Sequence, residues 1–190
     1  VRRTRYIYNV QEIYPDLAIK TGTLRSSWLI SALRRLERFV YDRAFAVTVI
    51  SEGMRRNLME KSVPAEKARL IPNFVDVRDI VPTPKGNPFA REHGLDDVFV
   101  VTYAGNMGPM QGLDSLLDAA QLLRGEPGVR FLLVGGGSDR ERLRRRAEEM
   151  ALPNVLFLEH QPYERVPEIY GASDLCVVPQ LENIGMDAAP

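Results

Sequence analysis

Between positions 105 and 112 the chain reads Gly105-Asn106-Met107-Gly108-Pro109-Met110-Gln111-Gly112, and beyond it turns apolar at helical spacing. Glycines let backbone approach a ligand closely, and a helix start presents unpaired N–H groups with partial positive charge. The chemistry such a segment suits is the holding of an anion. The same residues also suit a plain turn with left-handed backbone, and both readings stand. A second cluster, Gly135-Gly136-Gly137, closes another apolar run. No Gly-Lys-Ser/Thr follows either segment, so neither is a P-loop. Gly135-x-Gly137 has Arg140 where the dinucleotide fingerprint needs its third glycine, and no acidic residue ends the run before it, which disfavours NAD.

The elements that must position these loops are legible from periodicity. Val98 to Tyr103 is a short apolar, β-branched run and predicts a buried strand. Leu113, Leu116, Leu117, Ala120 and Leu123 then mark one side of an amphipathic helix. Arg130 to Val134 predicts a strand, and Ser138 with Glu141 a capping box that opens a helix through Leu143, Ala147 and Met150. A strand at Val155 to Glu159, a short helix at Val166 to Gly171 and a strand at Leu175 to Val178 complete the alternation. Such alternation means parallel strands with crossover helices, and ligands of such sheets bind at the strands' carboxyl ends.

The first half reads as α/β too. Strands are expected at Tyr6 to Val10 and Ala46 to Ile50, and Leu70 to Asn73 reads as a short strand and turn. A helix over Trp28 to Ala44 has Leu29, Leu33, Leu36, Val40 and Arg43 along one side. Ser51 is the expected N-cap of a helix over Glu52 to Glu60. Arg34, Arg35 and Arg38 share another arc of the long helix, which fits an anionic membrane surface or a solvated face. Trp28 suits a lipid interface or ordinary packing. Arg144-Arg145-Arg146 reads as an exposed helix face.

The whole chain has 190 residues, 25 Lys+Arg against 25 Asp+Glu, and 45% hydrophobic residues. That balance excludes a disordered tail and gives no basic footprint for nucleic acid. The charge is divided: residues 1–75 carry 14 basic against 7 acidic side chains, and the remainder is correspondingly acidic. Asp76 to Asp97 holds Pro82, Pro84, Gly86 and Pro88 and reads as a linker between two units. No apolar run approaches the ~18 residues that span a bilayer. The one cysteine, Cys176, cannot form an internal disulfide and is expected to be buried in its strand, which favours a reducing, cytoplasmic setting. The chain begins at Val1 without Met and is expected to be an internal piece of a longer protein.

Taken together, the motifs resemble glycosyltransferase family 4, the retaining group of GT-B fold, and within it bacterial cell-surface glycan transferases with Gly-Asn-x-Gly-x-x-Gln-Gly. The resemblance rests on Val49-Ile50-Ser51-Glu52-Gly53-Met54, on Leu70-Ile71-Pro72-Asn73-Phe74-Val75-Asp76, on the two glycine segments, and on Val166-Pro167-x-x-Tyr170-x-x-Ser173-Asp174. It implies an α/β architecture of two Rossmann-like parallel-sheet domains, both incomplete here. Residues 1–76 would be part of the acceptor-side domain, 77–97 the linker, and 98–190 part of the donor-binding domain.

By the same resemblance, Gly105, Asn106, Met107, Gly108, Gln111 and Gly112 would cradle the diphosphate of a UDP- or GDP-linked sugar. Gly135, Gly137, His160, Gln161, Pro162 and Tyr163 would face its nucleoside. Relatives often carry Arg and Lys where Asn106 and Gln111 stand, so leaving-group stabilisation here must lean on backbone N–H groups or on residues elsewhere. The paired donor-binding glutamates are expected beyond Pro190, and Glu182 does not replace them. Glu12 occupies the place of a strand-end residue that faces the reacting sugar. A carboxylate there suits acceptance of a hydroxyl proton, and a solvated loop residue is the other reading. His93 is expected to be structural, and His160 either a ligand contact or structural.

The implied function is metal-independent, cofactor-free transfer of a sugar to a cell-surface glycan or lipid-linked acceptor, in polysaccharide biosynthesis, at the inner face of the membrane. A non-catalytic GT-B homologue that binds a nucleotide or partner protein, and a nucleotide-sugar epimerase of the same fold, are the alternatives.

Overall fold

Ala46-Val47-Thr48-Val49 sets three β-branched residues in a row, and both faces of that run are buried at the centre of a parallel sheet. The computed structural model describes residues 4–20 and 22–181. Within them the chain divides into two compact units, the first ending at Phe74 and the second running from Val75 to Leu181. Glu182 and the residues after it lie outside the described residues.

The first unit contains β1 (Ile7–Val10), α1 (Asp16–Lys20), α2 (Ser27–Arg43), β2 (Ala46–Val49), α3 (Glu52–Glu60) and β3 (Ala68–Leu70). Its strands pair in the order β1-β2-β3, all parallel, with Ile7 opposite Ala46 and Val47 opposite Ala68. Val10, Ile13, Val47, Val49, Met54 and Leu58 form its core. Ser51 caps α3 as expected, its hydroxyl accepting the Met54 N–H at 3.2 Å.

Helix α2 turns differently from the expected stripe. Leu29, Leu33 and Val40 are half-buried, Leu36 and Arg43 are exposed, and the one fully buried side chain is Tyr41. The reason is polar. The Tyr41 hydroxyl donates to Glu37 at 2.9 Å, and Lys61 joins Glu37 at 2.6 Å and Asp16 at 2.8 Å. Burial, with the Glu37 charge behind it, pushes the Tyr41 hydroxyl far above its ordinary pKa. Trp28 lies 73% exposed rather than packed.

The second unit contains α4 (Pro88–Glu92), β4 (Phe99–Ala104), α5 (Asp114–Leu122), β5 (Val129–Val134), α6 (Arg140–Glu149), β6 (Val155–Leu158), α7 (Val166–Gly171) and β7 (Leu175–Cys176). The strand order is β6-β5-β4-β7, all parallel. Alternate residues of β4 and β5 serve opposite faces. Val101, Tyr103, Phe131 and Leu133 pack under α5 and α6, while Val100, Leu132 and Val134 pack against α4 and α7. The order reverses between β4 and β7, which is where open sheets of this kind place their ligands.

From Thr83 onward, the segment read as a linker packs on the second unit. Asn87 accepts the Ala90 N–H at 2.9 Å and donates to the Glu168 carbonyl at 2.8 Å, so it caps α4 and holds α7 together. Thr83 donates to the Pro167 carbonyl at 2.8 Å. Phe89 is completely buried against Ile169 and Ala172, and Arg165 lies over its ring. The prolines mislead because Pro88 sits in the first helical turn, where no backbone donor is needed.

Three further expectations are corrected. Asp139, not Ser138, flanks the start of α6, without a side-chain cap, because its carboxylate takes Arg142 at 2.6 Å instead. Cys176 is exposed because β7 is an edge strand of two residues. His93 closes α4 with its ring 4.6 Å from that of Phe89, the structural role expected of it. Arg144 and Arg145 are exposed, whereas Arg146 is drawn to Asp114 and Asp118. Among the described residues no helix is long and apolar enough to cross a membrane.

The packing of α4 has a measurable consequence. Phe89→Ala is expected to cost the second unit about 3–5 kcal/mol in urea unfolding, whereas a loss below about 1 kcal/mol would place this segment outside the cooperative core.

Candidate functional site

Two loops meet at the carboxyl edge of the second unit's sheet. The Gly105 N–H donates to the Val134 carbonyl at 2.9 Å, and the Met107 N–H to the Gly136 carbonyl at 2.7 Å. The Met107 carbonyl in turn accepts the Asp139 N–H at 2.9 Å. The backbone ladder between β4 and β5 therefore continues past the strands into the loops.

Only glycine permits this approach at 135 and 137. Their φ angles are +133° and +145°, a region that side chains rarely adopt. A Cβ at 135 would strike the Gly105 carbonyl, and one at 137 the Met107 carbonyl, with the Asn106 Oδ1 2.7 Å away.

The rest of the first loop is tied from within. The Tyr103 hydroxyl donates to the Asn106 carbonyl at 2.6 Å, and burial raises the pKa of that phenol. The Gly108 N–H donates to Gln111 Oε1 at 3.0 Å across a 3-10 turn, Pro109–Gln111. Gly112 follows with φ +61°, and α5 begins two residues later. The Met107 side chain is entirely buried in the core beside Leu113 and Leu117, so it does not reach a ligand.

Beside these loops lies a cavity of about 510 Å³, a size typical of small-molecule sites. Ala104, Gly105 and Asn106 line it from β4, Val134, Gly135 and Gly136 from β5, and His160 and Gln161 from the end of β6. Val166, Ile169 and Tyr170 of α7 form its remaining wall. Five residues singled out from the sequence therefore converge here: Gly105, Asn106, Gly135, His160 and Gln161. Met107, Gly108, Gln111, Gly112, Gly137, Pro162 and Tyr163 do not line the cavity. Gly137 and Gly108 shape the loops behind it, and Tyr163 opens a half-exposed 3-10 turn, Tyr163–Arg165.

Periodicity alone does not identify the α7 wall, although Val166-Pro167-x-x-Tyr170 is part of the family resemblance. Its signal is the spacing of 166, 169 and 170, which puts three apolar groups on one helical face. No Lys or Arg lines the cavity. Arg140, which follows the second glycine loop, spends its charge on Glu159 at 2.9 Å and Glu141 at 3.2 Å. Among the described residues no group of three or more His, Cys, Asp or Glu side chains could hold a metal ion.

In the first unit, Glu12 lies just past the carboxyl end of β1. Asn9 Oδ1 accepts from the Thr48 hydroxyl at 2.9 Å and from Gln11 at 3.2 Å, and Ile13 is wholly buried. Anchored on either side, Glu12 and Tyr14 project into solvent. The Glu12 carboxylate beside the Tyr14 hydroxyl pushes the phenol's pKa up. On α2 the three arginines separate. Arg34 and Arg38 line a second cavity of about 340 Å³ with Glu37, Tyr41 and Lys61, and Arg35 does not.

Comparison with known proteins adds the following. The glycosyl transferases group 1 profile matches residues 88–189, and that of the glycosyl transferase 4-like domain matches residues 1–73. WcaI of Escherichia coli, whose name places it among glycosyl transferases of colanic acid biosynthesis, is 31% identical over 137 residues, 70% of this chain and 33% of that protein. The D-inositol 3-phosphate glycosyltransferase of Segniliparus rotundus is 35% identical over 155 residues, 77% of this chain and 34% of that protein. The crystal structure of Anabaena Alr3699/HepE in complex with UDP-glucose superposes with a TM-score of 0.76 at 22% identity, over 94% of this chain and 47% of that one. The chain spans about a third of the length of these curated relatives. The two parallel-sheet units are parts of a GT-B fold.

Proposed function

The chain belongs to the group 1 glycosyl transferases, and from that premise we propose that its second unit binds the nucleotide end of a UDP- or GDP-linked sugar donor. The observation that carries this reading is the cavity at the carboxyl edge of the second sheet. It joins an apolar wall from α7, suited to a base and ribose, to two glycine loops suited to a diphosphate. The HepE structure, which holds UDP-glucose, lends the reading further support.

On this reading the reaction is a retaining, metal-independent sugar transfer to a cell-surface glycan or lipid-linked acceptor held by the first unit. The acceptor oxygen bonds to the sugar carbon on the same face from which the diphosphate departs, so configuration is kept, and the diphosphate leaves with the electron pair. Glu12 takes the hydroxyl proton. The name of WcaI, with its colanic acid pathway, favours a polysaccharide product. Neutral Asn106 and Gln111, in loops without lysine or arginine, favour a second reading as a nucleotide-binding homologue without turnover.

The protein works at the inner face of the membrane, where α2 supplies the contact. Trp28, Leu36 and Phe39 are 73%, 56% and 54% exposed, and Arg34, Arg35 and Arg38 are exposed on the same helix. Apolar groups flanked by cations suit an anionic lipid surface.

Three measurements test these statements. Calorimetry with UDP, GDP, ADP and NAD should give saturable binding of UDP or GDP, abolished by Gly137→Ala; binding of NAD alone, or of nothing, overturns the donor site. In the complete enzyme, Glu12→Gln should slow turnover by about 100-fold at unchanged nucleotide affinity, and undiminished turnover removes Glu12 from the chemistry. Vesicles rich in anionic lipid should bind the chain, and binding should collapse when Arg34, Arg35 and Arg38 are all replaced by Glu; equal binding by both chains ends the membrane reading.

A further inference from the structure

Strand β6 ends the second unit's sheet among the described residues, with β5 as its one strand partner. The Phe131 N–H donates to the Asn154 carbonyl at 2.8 Å, and the Gly135 N–H to the Leu158 carbonyl at 3.1 Å. The even-numbered residues of β6 therefore turn their backbone to β5, and the odd-numbered ones turn theirs outward. At Phe157 both the N–H and the carbonyl face away from the sheet, with no backbone partner among the described residues. Native edges are guarded by charged side chains, proline or a bulge. The run Val155-Leu156-Phe157-Leu158 contains none of these. Beside it lies a groove of about 570 Å³, lined by half-buried Val155 and Phe157, by Leu152, and by Arg144 and Glu148 of α6. Arg144 stands 3.6 Å from Glu141 and 3.8 Å from Glu148, too far for a hydrogen bond, so its guanidinium is free to take an outside carboxylate.

We infer that β6 is a dimerisation edge: two copies of this protein pair antiparallel along it about a two-fold axis, and Arg144 of each copy meets Glu148 of the other. A second copy fits on three counts. Antiparallel strands exchange both backbone bonds at one residue, and Phe157 holds a donor and an acceptor ready for an identical strand. A two-fold contact requires that where one residue meets another, the reverse contact also forms. Unlike charges one turn apart on α6, opposite an antiparallel copy of that helix, meet this condition. The apolar groove is then closed by its own copy, and the unguarded edge is removed. The groove shares no residue with the cavity at the carboxyl edge of the sheet, so pairing leaves that cavity open.

Sedimentation equilibrium on the 190-residue chain and on the complete protein tests this, and both should be dimeric. Arg144→Glu and Glu148→Arg should each raise the dimer dissociation constant by about tenfold, since each exchanges two attractive pairs for two repulsive ones. Both side chains are more than half exposed, so neither change touches the core. Mixing the two single variants should restore the dimer, with glutamates on one chain facing arginines on the other. That restoration separates a contact between copies from the pair within one helix, which no second chain can repair. In hydrogen exchange the Phe157 amide should be protected in the dimer and exposed on dilution. A protein that stays monomeric at every concentration overturns the inference, as does a dimer indifferent to the charge reversals or not restored by mixing. A Phe157 amide protected in a monomeric complete protein would give the edge to another segment of that protein. One left unprotected in a dimer would place the contact elsewhere.

Discussion

The second unit depends on two loops lying backbone against backbone. Met107 donates to one loop and accepts from the residue that starts the next helix, and no side chain separates the two. That closeness continues the ladder beyond β4 and β5 and commits the Met107 side chain to the core. It also leaves the carbonyls and N–H groups of both loops at the edge where the strand order reverses. Glycine at 135 and 137 is the condition for all of it. Backbone groups drawn this close satisfy one another's hydrogen bonds, so the loops are rigid without any charged side chain to brace them.

Electrostatics in this molecule is spent on structure. Arg142 and Arg146 tie α6 to α5 through Asp114, whose carboxyl the Arg142 guanidinium holds below the ordinary range. Asp174 behaves similarly. Burial pushes its carboxyl up, but hydrogen bonds from Lys85 and the Val100 N–H outweigh that and hold it below its usual value. Such carboxylates stabilise the fold above the unfolded carboxylate pKa, and the contribution is lost as pH falls through the lower folded value. The cavity, by contrast, is lined by no Asp, Glu, Lys or Arg.

Much of this was legible in the sequence, because parallel α/β units announce themselves. The β4 and β5 runs are apolar except at Thr102 and Arg130, and their neighbours alternate at helical spacing. Ser51 could be named as a cap from its place before Glu52. What failed did so where tertiary contacts outvote local chemistry. The prolines of 77–97 looked like a tether because nothing local shows Phe89 meeting Ile169 some 80 positions on. Ser138 lost the cap to an Asp139 already committed to Arg142. Cys176 looked buried because an edge strand and a central one read alike over two residues. In the site, strand-end glycines and His160 could be found from position alone. The α7 wall could not, since a crossover helix shows its core face and its cavity face as one apolar stripe.

The threads from Thr83 and Asn87 to the carbonyls of Pro167 and Glu168 give the second unit an unusual load path. Gly171 has no side chain because Thr83 fills that space. The chain thus enters the unit by gripping the helix that walls the cavity before it reaches the sheet. Along the chain, the hydrogen bonds to α7 come before the first strand of the sheet. In mechanical terms the cavity has one fixed jaw, made of glycine loops, and one jaw that is hung from the point where the chain comes in.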